Sequence, residues 1–339
     1  MIRFGVIGFG LHAEKRLMPG FLEAQNATVT ALSRRDLRRA RETADRHRIP
    51  LAFDTAEEAC SSGSVDAVFV ASPDALHLSD TLAAFEHALP VLCEKPMAMD
   101  GQQARQMVEA SREAHLLLGV AQVFRFERSV RWFRDRIAEG AVGTPTAAQA
   151  EFFYPGQESH RTWITDPDLA CGGPIADVGV HCLDVLRFVL GDEVLSVHAT
   201  AERDEHSGTM EATGSLDLRF AGGISGTVTV SARSPYRTFL EVSGEEGSLV
   251  AVDAFSVDEP VTGVIRRIGS EDVAEKVELS NHDAYSLQVD AFARTIEEGQ
   301  SFDVPGEEGL KNQLILDAAY RSLETGRSES VAKAERVEE

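Results

Sequence analysis

Apolar and polar positions change their spacing in a regular way along residues 1–120. Short apolar runs alternate with longer stretches in which apolar residues recur every three or four positions. The first pattern favours buried strands and the second favours amphipathic helices, so the alternation predicts a parallel, doubly wound α/β sheet. The predicted strands cover residues 3–7, 28–33, 67–71, 91–93 and 117–121. The predicted helices cover 11–24, 37–47, 75–87 and 101–114, with Asp74 as the expected N-cap of the third.

A different pattern begins near residue 146. Segments rich in β-branched residues and in period-two alternation predict strands over 148–154, 195–201, 212–220, 224–231 and 239–243. Gly222-Gly223 joins two of them as a hairpin. We therefore expect an open, mostly antiparallel sheet with helices on one face, which gives an α+β domain. A closing helix over 308–324 is expected to end before Gly326.

This change of pattern divides the chain. At 339 residues the protein is long for one hydrophobic core, so two domains are expected. We expect a dinucleotide-binding Rossmann domain over 1–122 and an α+β domain for substrate binding and oligomerisation over 123–330. The charged segment 331–339 is expected to be a frayed tail.

Composition narrows the classes of function. The formal net charge of -22 argues against a nucleic acid or an anionic membrane as partner. The longest apolar runs are too short to span a bilayer, and residues 1–8 show no signal-peptide pattern. Four cysteines without a CxxC pair or a framework spacing fit reduced thiols, so a cytoplasmic location is expected.

A glycine turn lies directly after the first predicted strand and before the first predicted helix. In Gly8-Phe9-Gly10-Leu11-His12-Ala13, Gly8 permits the tight turn and Gly10 lets a pyrophosphate approach the backbone. The helix N-terminus then supplies amide groups and the positive end of its dipole. Ala13 takes the place of a third glycine. The segment predicts a nicotinamide dinucleotide site.

The end of the second strand bears on the choice between NAD and NADP. An NAD site usually carries an acidic residue there, whereas this chain has Ser33 and Arg34, with the nearest acid at Asp36. A hydroxyl and a guanidinium suit a 2′-phosphate, so NADP is favoured over NAD. The alternative is that this basic cluster only solvates the start of a helix; its members are Arg34, Arg35, Arg38 and Arg39.

Two further segments carry groups that suit chemistry at a hydroxyl-bearing carbon. Glu94-Lys95-Pro96 follows a predicted strand, at the sheet edge where ligands bind in open α/β folds, and Lys95 can stabilise negative charge on an oxygen. After the turn at 172–174, Asp177 and His181 are spaced to share one helix face. Histidine suits proton exchange because its pKa is near neutral. A buried structural pair is the alternative, and Asp184, close to the same face, favours a site.

At these motifs the chain resembles the Gfo/Idh/MocA oxidoreductase family (glucose-fructose oxidoreductase, inositol dehydrogenase and relatives). The resemblance implies a cis bond before Pro96, proton exchange by His181, hydroxyl binding by Asp177, and a homodimer or homotetramer formed through the second sheet. It also implies that the segment 71–73 with His77 passes under the nicotinamide, although spacing alone makes His77 a surface residue. The chain departs from the family where Trp163 is followed by isoleucine and where Cys171 precedes the glycines; Arg161 is then the nearest guanidinium.

The candidate residues follow from these motifs together with the resemblance. The catalytic candidates are Lys95, His181 and Asp177. The cofactor candidates are Gly8, Phe9, Gly10, Leu11, His12, Ser33, Arg34, Arg38, Ala71, Ser72, Pro73, His77, Glu94, Lys95 and Trp163. The substrate candidates are Arg125, Tyr154, Asp177 and His181, with His160 as a further lining residue. No zinc-ligand spacing is present and Cys182 lies about 100° around the helix from His181, so no metal is expected.

These features together predict an NAD(P)-dependent oxidoreductase, with NADP favoured, acting on a sugar, a polyol or a related carbohydrate carbonyl. Two alternatives stay open. One is a non-catalytic protein that senses NAD(P), against which the joint presence of Lys95, Asp177 and His181 argues. The other is a glycosidase of the same family that retains its cofactor, which the same motifs permit.

Overall fold

Segments that are far apart in sequence come together in two units. The structure, a computed structural model, describes residues 1–156, 162–270 and 272–334. The first unit takes residues 1–122, 168–171 and 285–313. The second takes the described residues within 123–167, 172–284 and 314–334. The chain passes from one unit to the other at several points, and the predicted boundary at residue 122 is one of them.

The first unit is built on a parallel six-stranded sheet with the strand order β3-β2-β1-β4-β5-β6. The strands are β1 (Ile2–Ile7), β2 (Ala27–Ser33), β3 (Leu51–Phe53), β4 (Ala67–Val70), β5 (Val91–Cys93) and β6 (Leu118–Val120). The predicted doubly wound sheet is confirmed. Only β3 was missed, because it is three residues long, lies at the sheet edge and is only half-buried.

Helices connect these strands. They are α1 (Met18–Glu23), α2 (Leu37–His47), α3 (Ala56–Ser61), α4 (His77–Glu86) and α5 (Gly101–Ala114), with a turn of π-helix at Ala13–Leu17 before α1. The predicted N-cap at Asp74 is wrong. A short 3₁₀ turn, Asp74–Leu76, precedes α4, and the Asp74 carboxylate accepts a hydrogen bond from the Cys171 amide at 2.9 Å instead.

The second unit is built on a nine-stranded sheet with the order β14-β13-β12-β11-β7-β10-β9-β8-β15. Its strands are β7 (Pro145–Pro155), β8 (Val194–Glu202), β9 (Thr213–Phe220), β10 (Ser225–Ser231), β11 (Arg233–Gly244), β12 (Gly247–Val252), β13 (Val261–Arg267), β14 (Val273–Leu279) and β15 (Glu329–Ser330). Strands β7 and β10 run parallel, and the remaining neighbours in the described sheet are antiparallel. The mostly antiparallel sheet is confirmed. Strands β12 to β14 were missed because glycines and charged residues dilute their alternation.

Helices cover one face of this sheet. Helix α6 (Arg128–Ala138) packs against α7 (Val180–Leu190), and α7 packs on β7 and β10. The strands bury alternate residues, so Leu216, Val228 and Leu240 are fully enclosed while their neighbours along each strand stay partly exposed. The partly exposed residues therefore lie on the face opposite α7.

The segment 285–313, which the sequence pattern placed in the second domain, belongs to the first unit. It contains most of α8 (Ala284–Glu298) and the start of α9 (Gly306–Thr325). Phe292 packs between Phe4 of β1 and Phe302, with ring centroids 6.1 and 5.2 Å away. Aromatic burial against β1 therefore outweighs nearness in sequence.

The end of the chain is more ordered than expected. Helix α9 ends before Gly326, which has a φ of +67°, as predicted. Beyond it, β15 pairs with β8, and the Val331 amide donates to the Leu195 carbonyl. Of the predicted tail, residues 335–339 lie outside the described residues. In the described part of the chain, none of the helices combines the length and the apolar character needed to cross a membrane.

Candidate active site

The glycine turn of the first unit is held by close backbone contact. Gly8 has a φ of +73°, and a Cβ atom there would lie 2.4 Å from the Ser72 Cα atom. Gly10 has open space on the side where its Cβ would point, with the Gly8 carbonyl at 3.7 Å as the nearest atom. A Cβ atom would fill this cradle. The first amides of the following helix, which precede the bond from the Glu14 amide to the Gly10 carbonyl, have no carbonyl partner within the helix. The turn therefore fits a pyrophosphate.

Phe9, predicted to bind the cofactor, is buried in the first unit. Its side chain is 1% exposed and packs near His47, and its amide donates to the Ser33 carbonyl at 2.9 Å. The residue ties β1 to the end of β2. Its side chain and amide are thus not offered to a cofactor, in contrast to Leu11 and His12, which are half-buried.

The residues predicted to discriminate between NAD and NADP lie at the end of β2 and the start of α2. Ser33 is buried, and its Oγ accepts from the Gly8 amide at 3.4 Å. Arg34 Nη1 donates to Thr43 Oγ1 of α2 at 2.7 Å. Asp36 caps α2, because its carboxylate accepts from the Arg39 amide at 3.1 Å. That amide holds the pKa of Asp36 below its usual range. The acid nearest to β2 is therefore engaged at a helix terminus.

Arg38, a further cofactor candidate, lies on the surface, and its contact with a cofactor stays a prediction. It is exposed on the first turn of α2 and pairs with Glu42 one turn further at 2.8 Å. An exposed pair of this kind holds its side chains weakly.

The segment around Lys95 is tied to the glycine motif by a contact between His12 and Glu94. His12 Nε2 lies 2.9 Å from Glu94 Oε1. Burial disfavours the Glu94 carboxylate, but His12 and Lys95 hold the pKa of Glu94 below its usual range. The Lys95 amide donates to the same carboxylate at 3.2 Å, and the bond between Lys95 and Pro96 is cis, as the resemblance implied. Lys95 itself is half-buried.

His77 is neither a surface residue nor a lining residue. Its side chain lies within the first unit and the residue is 1% exposed. Its Nε2 is 2.9 Å from the Ser72 carbonyl oxygen, and its Nδ1 is 2.9 Å from the Pro96 carbonyl oxygen. Neighbouring backbone is held as well, because the Ala71 amide donates to the Ile7 carbonyl. Direct contact between His77 and a cofactor does not agree with this burial.

In the second unit, the glycines before Asp177 allow close packing. A Cβ atom at Gly172 would lie 1.7 Å from the Tyr320 Oη, and one at Gly173 would lie 2.3 Å from the Glu211 carbonyl oxygen. Glu211 Oε1 accepts from the Ile175 amide and from the Tyr320 hydroxyl, both at 3.0 Å. Burial raises the pKa of Glu211 in spite of these bonds. Sequence analysis missed this anchor, since Glu211 and Tyr320 are distant in sequence.

Asp177 and His181 do not lie on one continuous α-helix. A π-helical turn, Ile175–Gly179, carries Asp177, and α7 carries His181. Each of the two residues is 7% exposed. Tyr154 donates its hydroxyl to Asp177 Oδ2 at 2.9 Å. The His181 ring stacks on Phe124, with centroids 4.2 Å apart. Sequence analysis offered no reason to pair Tyr154 with Asp177, and the fold brings them into hydrogen-bond contact.

Arg125 is placed differently from the prediction. Its Nε and Nη2 donate to the two carboxylate oxygens of Asp184 at 2.8 and 2.6 Å, and the residues are 5% and 0% exposed. Arg187 lies 4.0 Å from the same carboxylate. Because this bidentate pair is buried, we assign Arg125 and Asp184 to the interior of the second unit and not to the substrate surface.

The last candidates lie before the glycines. Trp163 is half-buried in a 3₁₀ turn, Thr162–Thr165, and its carbonyl accepts from the Asp166 amide at 3.0 Å. His160 and Arg161 lie outside the described residues.

Two family profiles match the chain. Residues 2–122 match the NAD-binding Rossmann fold of an oxidoreductase family (GFO/IDH/MocA), and residues 130–250 match a GFO/IDH/MocA C-terminal domain. The two matches coincide with the segments that carry the glycine turn and the Asp177–His181 helix.

Individual proteins agree with these profiles. A 1,5-anhydro-D-fructose reductase from Ensifer adhaerens is 31% identical over 98% of this chain and 99% of that protein. A D-xylose 1-dehydrogenase (NADP(+)) from Haloferax volcanii is 30% identical over 95% and 98% of the two chains. The structure is similar to that of an aldose-aldose oxidoreductase from Caulobacter crescentus complexed with glycerol, with a TM-score of 0.86 at 24% identity over 97% and 99% of the two chains.

Proposed function

The chain belongs to the Gfo/Idh/MocA family of NAD(P)-dependent oxidoreductases, and we propose that it is an NADP-preferring dehydrogenase or reductase of a sugar or polyol. The observation that carries this proposal is the hydrogen bond from the Tyr154 hydroxyl of β7 to Asp177. Asp177 lies one turn before His181 along the chain. In the second unit, Asp177, Tyr154 and His181 carry groups that can bind a hydroxyl and move its proton, and in the first unit Lys95 carries a charge that can stabilise an oxygen anion. Both relatives named above act on carbohydrates, which supports this substrate class.

The preference for NADP is supported by the end of β2. Arg34 offers a guanidinium there, while Asp36 is engaged as the cap of α2 and does not take the place of a ribose-binding acid. A 2′-phosphate is well matched by a guanidinium, because the bond is charge-assisted. The Haloferax relative is named for NADP use as well.

Each residue of the proposed site has a distinct part in the reaction. The turn around Gly8 and Gly10 would hold the dinucleotide, which would supply the hydride chemistry of the reaction. Lys95 stabilises negative charge on the reacting oxygen, and His181 takes up or returns the hydroxyl proton. Asp177 accepts a hydrogen bond from a substrate hydroxyl, and Tyr154 orients its carboxylate through the 2.9 Å bond.

Substitution of the two central residues tests this proposal. General acid–base help contributes about 10²–10⁴ to a rate, so His181→Ala should lower kcat by that factor and remove the histidine-like inflection from the pH profile. Lys95→Ala should cost at least as much, because it removes a charge from the place where charge develops. The measurement is turnover over a panel of sugars and polyols with NADP and NAD, together with cofactor binding by fluorescence, which should persist.

His198→Ala is the matched control, since His198 is a half-exposed histidine of β8 in the same unit. It should leave both kcat and the pH profile unchanged. Near-normal turnover in His181→Ala with the same pH profile would contradict the assignment, because the proton would then move by another route.

A further inference from the structure

One buried histidine joins two functional turns of the first unit. Ser72 touches the glycine turn directly, because a Cβ atom at Gly8 would come within 2.4 to 2.7 Å of its Cα, N and Cβ atoms. The carbonyl of Ser72 contacts one nitrogen of His77, and the carbonyl of Pro96 contacts the other. Pro96 is bonded to Lys95. A continuous series of contacts therefore runs from the cofactor turn to the lysine.

The chemistry of these contacts determines the state of the ring. A carbonyl oxygen only accepts hydrogen bonds, so each His77 nitrogen must carry a proton, and a ring with both nitrogens protonated is an imidazolium. Burial opposes the positive charge, but the neighbouring Cys93 sulfur, the Asp74 carboxylate and the Ser72 carbonyl raise the pKa of His77 to about 10. Asp80, a further acidic group near it, accepts from the Ser72 hydroxyl at 2.6 Å, and burial raises the pKa of Asp80.

Such a bridge is well suited to fixing geometry. Hydrogen bonds from a charged donor are shorter and about twice as strong as neutral ones. A neutral ring could donate to only one of the two carbonyls and would place a lone pair against the other. The cation thus holds both backbone segments at once, and neither segment is part of a helix or strand that would fix it otherwise.

We propose that His77 is a positioning residue that fixes the backbone beneath the cofactor turn and the turn of Lys95 in one arrangement. Its effect on turnover rests on the proposed function of Lys95, whereas its effect on the cofactor turn does not. His77 contacts the carbonyls of Ser72 and Pro96. It would therefore influence the reaction through these two backbone segments.

The state of the ring and its link to the cofactor turn are measured without substitution. In the ¹⁵N-histidine-labelled protein without cofactor, His77 should show two slowly exchanging ring N–H signals at pH 8. Addition of NADP should shift these signals although the ring is buried, because the cofactor turn contacts Ser72. A single ring proton, or signals that do not respond to saturating NADP or NAD, would overturn the proposal.

A double-mutant cycle tests the link to Lys95. His77→Gln keeps one donor and should lower kcat by about 10- to 100-fold, since a small misplacement of a catalytic group has effects of this size. In a Lys95→Ala background the same change should cost less than about twofold, because residues that act through one another are not additive. Equal losses in both backgrounds would contradict the proposal. A Lys95→Ala enzyme of full activity would instead contradict the proposed function.

Asp290→Asn separates positioning from stability. Asp290 is buried in the same unit and accepts from the Gln25 and Asn26 amides at 2.7 to 3.0 Å, before the amino end of β2. Like His77→Gln, it should lower the Tm of the cofactor-free protein. Only His77→Gln should lower kcat and weaken the binding of NADP measured by fluorescence. If Asp290→Asn lowered kcat as much as His77→Gln does, the effect of His77 would be one of stability alone.

Discussion

At the scale of the residue, the proposed preference for NADP depends on Arg34. Its guanidinium lies at the end of β2, where the bond to Thr43 Oγ1 restricts its position. A side chain that is already held loses less conformational freedom on binding a phosphate than a free arginine does. Arg38, by contrast, is exposed and pairs only with Glu42 on the surface of the same helix, which holds it weakly.

Replacement of Arg34 should therefore separate the two cofactors. We expect Arg34→Ala to raise the KM for NADP at least about tenfold while the KM for NAD hardly changes, since a hydrogen bond to a charged group contributes about 1.5–3 kcal/mol. Steady-state kinetics with each cofactor provides the measurement, and the exposed neighbour Arg35 supplies the control variant Arg35→Ala. Equal losses with both cofactors would mean that Arg34 does not read the 2′-phosphate.

At the scale of the element, a buried carboxyl group at the start of α6 destabilises the folded protein. Glu127 occupies the N-cap position of this helix, but its side chain makes no cap bond. The residue is 0% exposed, and neither carboxylate oxygen has a hydrogen-bond partner among the described residues. Burial raises the pKa of Glu127 well above its usual range. The folded protein therefore binds this proton more tightly than the unfolded chain does.

The sign of the resulting pH dependence follows from proton binding. Above a pH of about 4.5 the unfolded chain releases the Glu127 proton, while the folded chain retains it. Stability therefore falls as pH rises wherever the folded state binds more protons. This fall begins near the unfolded pKa and ends only when pH passes the raised pKa of the folded state.

Glu127→Met should remove this cost. The methionine has a similar volume and leaves no buried polar group, so we expect a gain of about 1–3 kcal/mol at pH 8. The gain should be smaller at pH 4, where both states of the wild-type carboxyl are protonated. Thermal unfolding from pH 4 to pH 8 measures it, with Glu139→Met at the exposed end of α6 as the control. A variant that is less stable at every pH would show that the carboxyl has a favourable role.

At the scale of the whole molecule, the open face of the second sheet bears on assembly. Strands β12 and β13 present partly exposed β-branched residues there, at Val250, Val252, Thr262 and Val264. An apolar surface of this kind on an uncovered sheet suits pairing with a second copy through a two-fold interface. The exposed charges of the chain, with a net charge of -22, would keep other surfaces apart.

We expect the protein to be a dimer or a tetramer at micromolar concentration, with this face in the interface. Light scattering gives the mass directly. Val264→Glu places a charge on the face and should shift the protein towards the monomer, whereas Val273→Glu, at the exposed start of β14, should not. A monomeric wild-type protein would count against assembly through the sheet.

Much of this protein follows from local pattern alone. The boundaries of α2 and α5 agree with the apolar spacing, and the glycine turn lies between β1 and a helix, as its motif requires. These features depend on a few consecutive residues, since strand and helix periods and the freedom of Gly8 at positive φ are local properties. The candidates Lys95, Asp177 and His181 also came from short sequence motifs that carry the family resemblance, and their roles stay predictions.

The tertiary structure decided the parts that depend on distant residues. Spacing on α4 made His77 a surface residue, and the fold enclosed it between the carbonyls of Ser72 and Pro96. Sequence analysis made Arg125 a candidate for substrate binding. In the structure its guanidinium binds Asp184, which is 59 positions away in sequence. The aromatic side chain of Phe292 brought residues 285–313 into the first unit. Hydrogen-bond partners and burial are properties of the packed chain, and no local period encodes them.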